Sequence, residues 1–200
     1  MRRTILLALF LLRIAAAAAD EPREILRRMN AALRSYGAYE VAYSLDLQGA
    51  ALQGRYVVSG ERFALTLGEN GVFCDGRNRY EVNAANREIV IDKVDSAGGD
   101  ILTNPVHAFD FLDGNYAVST LPGGKAPHVT LRMTPVKGGG QAIEVVVDTV
   151  SALPERLTYE VGDDKIVIKI LSVKPVKEVG AGMFELDRSR YDGYEIIDFR

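Results

Sequence analysis

From Tyr39 onward the apolar residues recur at every second position, and turn-forming residues cut the pattern at short intervals. Val41, Tyr43, Leu45 and Leu47 alternate with Ala42, Ser44, Asp46 and Gln48, which sends one set of side chains to each face of a strand. Runs of the same kind cover Arg55–Ser59, Arg62–Leu67, Val72–Cys74, Arg79–Asn83, Glu88–Lys93, Tyr116–Thr120, His128–Thr134, Ala142–Asp148, Glu155–Val161 and Lys165–Val173, and Tyr194–Arg200 closes the chain. Gly60-Glu61, Glu69-Asn70-Gly71, Asp75-Gly76, Ala84–Asn86 and Asp113-Gly114-Asn115 separate them, and Gly138-Gly139-Gly140 has the composition of a hairpin tip. Links this short join antiparallel strands, because a parallel pair needs a crossover of a dozen residues or more. The pattern therefore predicts an antiparallel meander of about ten strands.

Only two segments read as helix. Asp20 can cap the first, Pro22 falls in its opening turn where a missing N–H costs nothing, and Gly37 follows its end. Ile25, Met29, Ala32, Leu33 and Tyr36 form one apolar stripe on it, with Arg23, Arg27, Arg28 and Arg34 mostly elsewhere. The second segment, Asn104–Phe111, opens on Asn104-Pro105 and predicts a short helical element or turn. The expected fold class is mainly β with helices (α+β). It is a strongly curved antiparallel sheet, or incomplete β-barrel, covered by the N-terminal helix and the short central one.

Residues 1–19, MRRTILLALFLLRIAAAAA, read as a secretory signal: Arg2 and Arg3, an apolar core broken at Arg13, then small residues before Asp20. The run is too short to span a bilayer, which takes about 20 apolar residues. Residues 20–200 are then expected as a single soluble domain in the periplasm. The chain has a net charge of −3 and no basic cluster, which argues against nucleic acid or an anionic membrane surface as partner. Its one cysteine, Cys74, cannot form an internal disulfide.

Chemistry-bearing motifs are missing. There is no nucleophile elbow, phosphate loop, dinucleotide fingerprint or zinc spacing. His107 and His128 stand 21 residues apart on unrelated segments. Asp75 beside Cys74 opposes a thiolate, so the cysteine reads as a small buried hydrophobe. Asp92, Asp95 and Asp100 do not have the spacing of a calcium loop. The expectation is a binding protein with no catalytic residues, no metal and no cofactor.

Gly71–Asp92, GVFCDGRNRYEVNAANREIVID, resembles the outer-membrane lipoprotein carrier family, the LolA-like periplasmic proteins. A strand ending in Asp-Gly, an aromatic-bearing strand, a polar turn and a β-branched strand follow one another there. Asp20–Tyr36, Tyr39–Gln48, Tyr56–Leu67 and Asn104–Phe111 are similar to the family's opening and central elements, in the same order. Asp148 with Leu153-Pro154, Met183–Leu186 and Tyr194–Arg200 are similar to its closing ones. Two departures stand out: Ser59-Gly60 occupies the place of the family's Arg-Pro lid latch, and the chain has no Trp.

The resemblance implies a half-barrel with a hydrophobic cavity that carries lipoprotein acyl chains, or related lipids, to the outer membrane. It also implies an inner-membrane exporter as donor and an outer-membrane receptor as acceptor; the chain itself is expected to be a monomer. A lipid-sensing or envelope-assembly module of the same fold remains open beside it. Val41, Tyr43, Leu45, Phe63, Leu65, Tyr80, Phe109, Met133, Val145 and Ile168 are the residues expected to line the cavity, with the first helix and Asn104–Phe111 as its lid. A chain of 14 methylenes, fully buried, gains on the order of 11 kcal/mol, so a carrier that must release several chains needs a loose lining.

Overall fold

A computed structural model describes residues 21–47, 50–94, 105–107, 109, 111–112, 114–137, 141–162 and 164–200. The expected leader, Asp20, Gln48, Asp95, Asp100, Asn104 and Gly138–Gly140 lie outside the described residues. Helix α1 runs over residues 21–35. Twelve strands follow: β1 (Ala38–Leu47), β2 (Ala50–Ser59), β3 (Arg62–Leu67), β4 (Asn70–Cys74), β5 (Asn78–Asn83), β6 (Glu88–Lys93), β7 (Tyr116–Leu121), β8 (His128–Pro135), β9 (Ile143–Asp148), β10 (Leu153–Val161), β11 (Asp164–Pro175) and β12 (Glu195–Asp198). The chain divides into two compact units, one of residues 1–32 and 111–165, the other of residues 33–110 and 166–200.

In the first unit the strand order is β10-β9-β8-β7, antiparallel throughout. Register places Leu131, Met133, Ile143, Val145, Val147 and Leu157 on one face, all of them buried. The other face is polar: Arg132 donates to Glu144 Oε1 and to Glu160 Oε2, each at 2.7 Å. Helix α1 begins in this unit, and Arg23 donates to the Tyr116 carbonyl at 3.3 Å and Arg28 to the Thr149 carbonyl at 3.0 Å. Its buried residues are Pro22, Leu26, Met29, Asn30 and Leu33. The stripe is thus centred on Leu26 rather than on Ile25, which is half-buried; adjacent Ile25 and Leu26 satisfy the helical period about equally well, so spacing does not separate them. The helix ends at Gly37, whose φ of +69° suits a residue with no Cβ.

The second unit has the strand order β12-β6-β5-β4-β3-β2-β1-β11. Among the described residues its strands pair antiparallel except β12 with β6, which are parallel. That exception departs from the expected all-antiparallel meander. The long segment from Val176 to Tyr194 supplies the crossover that a parallel pair requires.

This sheet buries different faces along its width. From β1 to β4 the buried face carries Tyr39, Val41, Tyr43, Leu45, Tyr56, Val58, Phe63, Leu65, Val72 and Cys74. From β4 to β6 the opposite face is apolar, with Phe73, Tyr80, Val82, Ile89 and Ile91, and Leu186, Tyr191 and Tyr194 pack on it. Further anchors hold the C-terminal segment. Arg62 lies over the Phe184 ring at 5.0 Å, Arg87 lies over the Tyr194 ring at 5.4 Å, and the Phe199 N–H donates to the Ile91 carbonyl at 2.8 Å.

The expected central helix is corrected. Within residues 104–111 the described residues form one 3-10 turn, Pro105–His107, packed against β2 and β3, and Phe109 and Phe111 lie in turns beyond it. Runs of 3-10 helix beyond three or four residues are uncommon, because side chains three apart eclipse and the hydrogen-bond geometry is poorer. Among the described residues, no helix is long and apolar enough to cross a membrane.

Candidate functional site

The face shared by β1–β4 and β11 gathers most of the residues singled out from sequence. Val41, Tyr43, Leu45, Phe63, Leu65 and Ile168 all lie on it, each no more than 4% exposed. Ile168 joins because β11 pairs antiparallel with β1, with Leu45 opposite Ile168; a bulge between Ala42 and Tyr43 restores the register and leaves Leu171 53% exposed. Met133 and Val145 are fully buried on the apolar face of the first unit. Phe109 is buried in the turn after Pro105–His107.

Tyr80 departs from the expected inward parity. It pairs with Phe73 and Ile91, on the face opposite Phe63, and its hydroxyl donates to Asp75 Oδ2 at 3.2 Å. The alternation of β5 is equally consistent with either face. What decides is that its other set, Arg79 and Glu81, is charged and joined by a 2.7 Å ion pair.

The centre of the face is built from tyrosines. Tyr56 stands between Tyr39 and Tyr43, with ring centroids 6.4 Å and 6.1 Å away, the first edge-on and the second tilted. Such separations lie within the favourable range for aromatic pairs. Gly54 is directly opposite Tyr43 on β2. A Cβ there would come within 2.3 Å of Tyr43 Cζ, so the glycine is what lets the phenol ring lie across the neighbouring strand. The Tyr43 hydroxyl is buried with no hydrogen-bond partner among the described residues, and burial pushes its pKa up to about 12. Tyr39, Gly54 and Tyr56 were missed from sequence. The available signal was the glycine in Gln53-Gly54-Arg55, inside an alternating run, which marks close backbone or ring approach.

Cys74 is fully buried on the same face, and burial pushes its thiol above the ordinary value, with Asp75 and Glu61 adding to the effect. The Gly76 N–H points at its sulfur at 3.4 Å. The environment favours the neutral thiol.

The departure at Ser59-Gly60 has a local cause. Ser59 pairs with Arg62, and Gly60 stands first in the two-residue connection with φ +60°. Proline, fixed near −65°, cannot occupy that position.

No protein-family model matches the chain, and no curated protein sequence does. Solved structures do. An uncharacterized conserved protein from Thermus thermophilus superposes with TM-score 0.55 at 13% identity, over 88% of this chain and 98% of that one. MucB superposes with TM-score 0.50 at 13% identity, over 84% of this chain; the present chain spans 63% of MucB. A LolA superfamily protein from Nitrosomonas europaea matches with TM-score 0.44 at 10% identity, over 83% of this chain and 98% of that one. Identities this low show fold and nothing more.

Proposed function

We propose that the protein is a periplasmic carrier that holds the acyl chains of lipoproteins, or of related lipids, against the apolar face of β1–β4 and β11. The observation that carries this reading is Tyr43. A hydroxyl buried among aliphatic and aromatic side chains, with no partner among the described residues, costs about 1–3 kcal/mol if nothing bonds to it. The carbonyl of an acyl ester or amide is a partner of the right chemistry, and it arrives attached to chains that suit the surrounding Val41, Leu45, Phe63, Leu65 and Ile168.

Phe109 belongs with this proposed lining, and Met133 and Val145 offer an apolar face of the same character in the first unit, with the first helix as the lid. With residues 1–19 read as an export leader, the proposed compartment is the periplasm, where an inner-membrane exporter would load the protein and an outer-membrane receptor unload it. The resemblance of Gly71–Asp92 to the LolA-like family supports this reading.

Native mass spectrometry of protein recovered from the periplasm, followed by solvent extraction, tests it. Acylated lipid or lipoprotein at fixed stoichiometry is the expected result, with retention reduced several-fold in Tyr43→Phe. A bare mass, together with no uptake of a fluorescent fatty acid by a folded protein, would overturn the carrier reading.

A further inference from the structure

The C-terminal segment does not cover the second unit's sheet evenly. Leu186, Tyr191 and Tyr194 pack closely over β5 and β6, but above β2–β4 the same segment leaves a cleft of about 690 Å³. That volume falls within the range of small-molecule sites, roughly 300–1,000 Å³. Short side chains on the floor keep it open. Ala64 lies between Val57 on β2 and Phe73 on β4, and Thr66 follows it on the same face. The roof carries Met183, Leu186 and Tyr191.

Tight turns hold that roof. The Met183 N–H donates to the Gly180 carbonyl at 3.2 Å and the Glu185 N–H to the Gly182 carbonyl at 3.1 Å, with Gly182 at φ +81°. Phe184, between Met183 and Glu185, is buried, with the Arg62 guanidinium 5.0 Å from its ring centre.

The charges lining the cleft are unequally engaged. Arg55 pairs with Glu40 at 3.3 Å, and Arg190 with Asp187 at 3.2 Å. Glu185 remains, with no ion pair among the described residues. An entering anion would have to break one of the two pairs, whereas a cation finds the Glu185 carboxylate unclaimed.

The aromatic rings point the same way. Phe184 and Tyr194 each take a guanidinium from the sheet, Arg62 at 5.0 Å and Arg87 at 5.4 Å. Tyr191, edge-on to Tyr194, takes none among the described residues, and it lines the cleft together with Phe73 and Glu185. A ring face attracts a cation within about 6 Å of its centre, more strongly where water is excluded.

We infer that this cleft binds a small amphipathic amine, a primary ammonium group on an aliphatic body. The ammonium meets Glu185 and the Tyr191 ring, and the body rests on Val57, Ala64 and Phe73. The chain's net charge of −3 adds a weak long-range attraction of the same sign. Val57 and Ala64 lie on the face opposite Tyr56, Phe63 and Leu65, so the inference does not depend on the acyl-chain reading.

The test follows amide chemical shifts of the full chain during titration with n-octylammonium, with n-octanol, octanoate and Nα-acetyl-lysinamide as comparisons. Octylammonium should shift the amides of Gly182, Met183, Glu185 and Tyr191 saturably. Octanol has the same body and no charge; it should bind about fivefold more weakly, and octanoate should not bind. Glu185→Gln, at an exposed position, should weaken octylammonium about fivefold and leave octanol unchanged. The inference fails if octanol or octanoate binds as tightly as octylammonium, or if Glu185→Gln changes nothing. It fails also if Nα-acetyl-lysinamide, whose aliphatic part is shorter, binds equally well. Shifts confined to Tyr43, Phe63 and Leu65 would put the amine on the acyl-chain face and overturn the assignment to this cleft.

Discussion

The two units solve the same problem in different ways. In the first, a four-stranded sheet buries one face, and its other face carries the Arg132–Glu144–Glu160 ion pairs. In the second, the wider sheet buries one face over β1–β4 and the opposite face over β4–β6, where the C-terminal segment lies across Val82, Ile89 and Ile91. A sheet that is apolar on one side throughout leaves its outer surface to charges, whose net value in water is small. A sheet whose apolar side switches needs a second cover, and that cover is a segment with little regular structure of its own. The lesson is that the covering segment's stability depends on the sheet more than the reverse.

Ile91→Ala gives the largest expected effect. The residue is fully buried on β6 beneath the second cover, so truncation costs about 2–5 kcal/mol by urea unfolding. Amide exchange over residues 186–199 should accelerate well beyond that of β1–β3. An equal acceleration everywhere would mean that the two faces unfold as one layer and would remove the contrast. Gly54→Ala is next. The new Cβ would stand 2.3 Å from Tyr43 Cζ, and displacing the ring costs about 1–3 kcal/mol. The double variant Gly54→Ala/Tyr43→Ala should lose less than the sum of the two single variants, because the clash is gone.

The difference between the faces also explains what could be read from sequence. Period two in Val41–Leu47 and Phe63–Leu67 placed strands and their buried parity, because each run has one apolar set and one polar set. Period two in Arg79–Asn83 placed a strand and left its parity undecided: Tyr80 and Val82 are apolar, but the cover that makes their side the interior comes from residues more than a hundred positions away. The parallel pairing of β12 was hidden for the same reason, since a terminal strand of four residues carries no register information of its own. β2 begins at Ala50 rather than Arg55 because Gly54, a break by local rules, is there for the Tyr43 ring. Distance in the chain, more than weakness of pattern, limited the reading.

Tyr43→Phe has a smaller effect, of opposite sign. Removing a buried hydroxyl without a partner among the described residues should stabilise the folded chain by about 1 kcal/mol. It should also remove an alkaline transition. Burial raises the folded pKa to about 12 from an ordinary value near 10, so the neutral form is favoured in the fold. That contribution is complete below pH 10 and is lost as pH rises toward 12, when the unfolded chain ionises first. Denaturation midpoints measured from about pH 9 to about pH 12 should fall in the parent and fall less in Tyr43→Phe. Parallel curves would place the hydroxyl in water.

Arg132→Gln gives the smallest effect and tests the other half of the comparison. The guanidinium bridges Glu144 and Glu160 across three strands, but its side chain and theirs remain 20–30% exposed. Solvent screening leaves such pairs with little net value, so the melting temperature should drop by no more than about 3 °C. The pH dependence has a definite sign. Hydrogen bonds from Arg132 hold the Glu160 carboxyl below its ordinary value, and Lys165 adds to the effect. A depressed carboxyl contributes above its unfolded pKa and loses that contribution as pH falls through the folded one. The difference in stability between parent and variant should therefore be constant near neutrality and shrink below about pH 4.5. A loss as large as that of Ile91→Ala would mean that the charged face of the first unit is as structural as the covered face of the second.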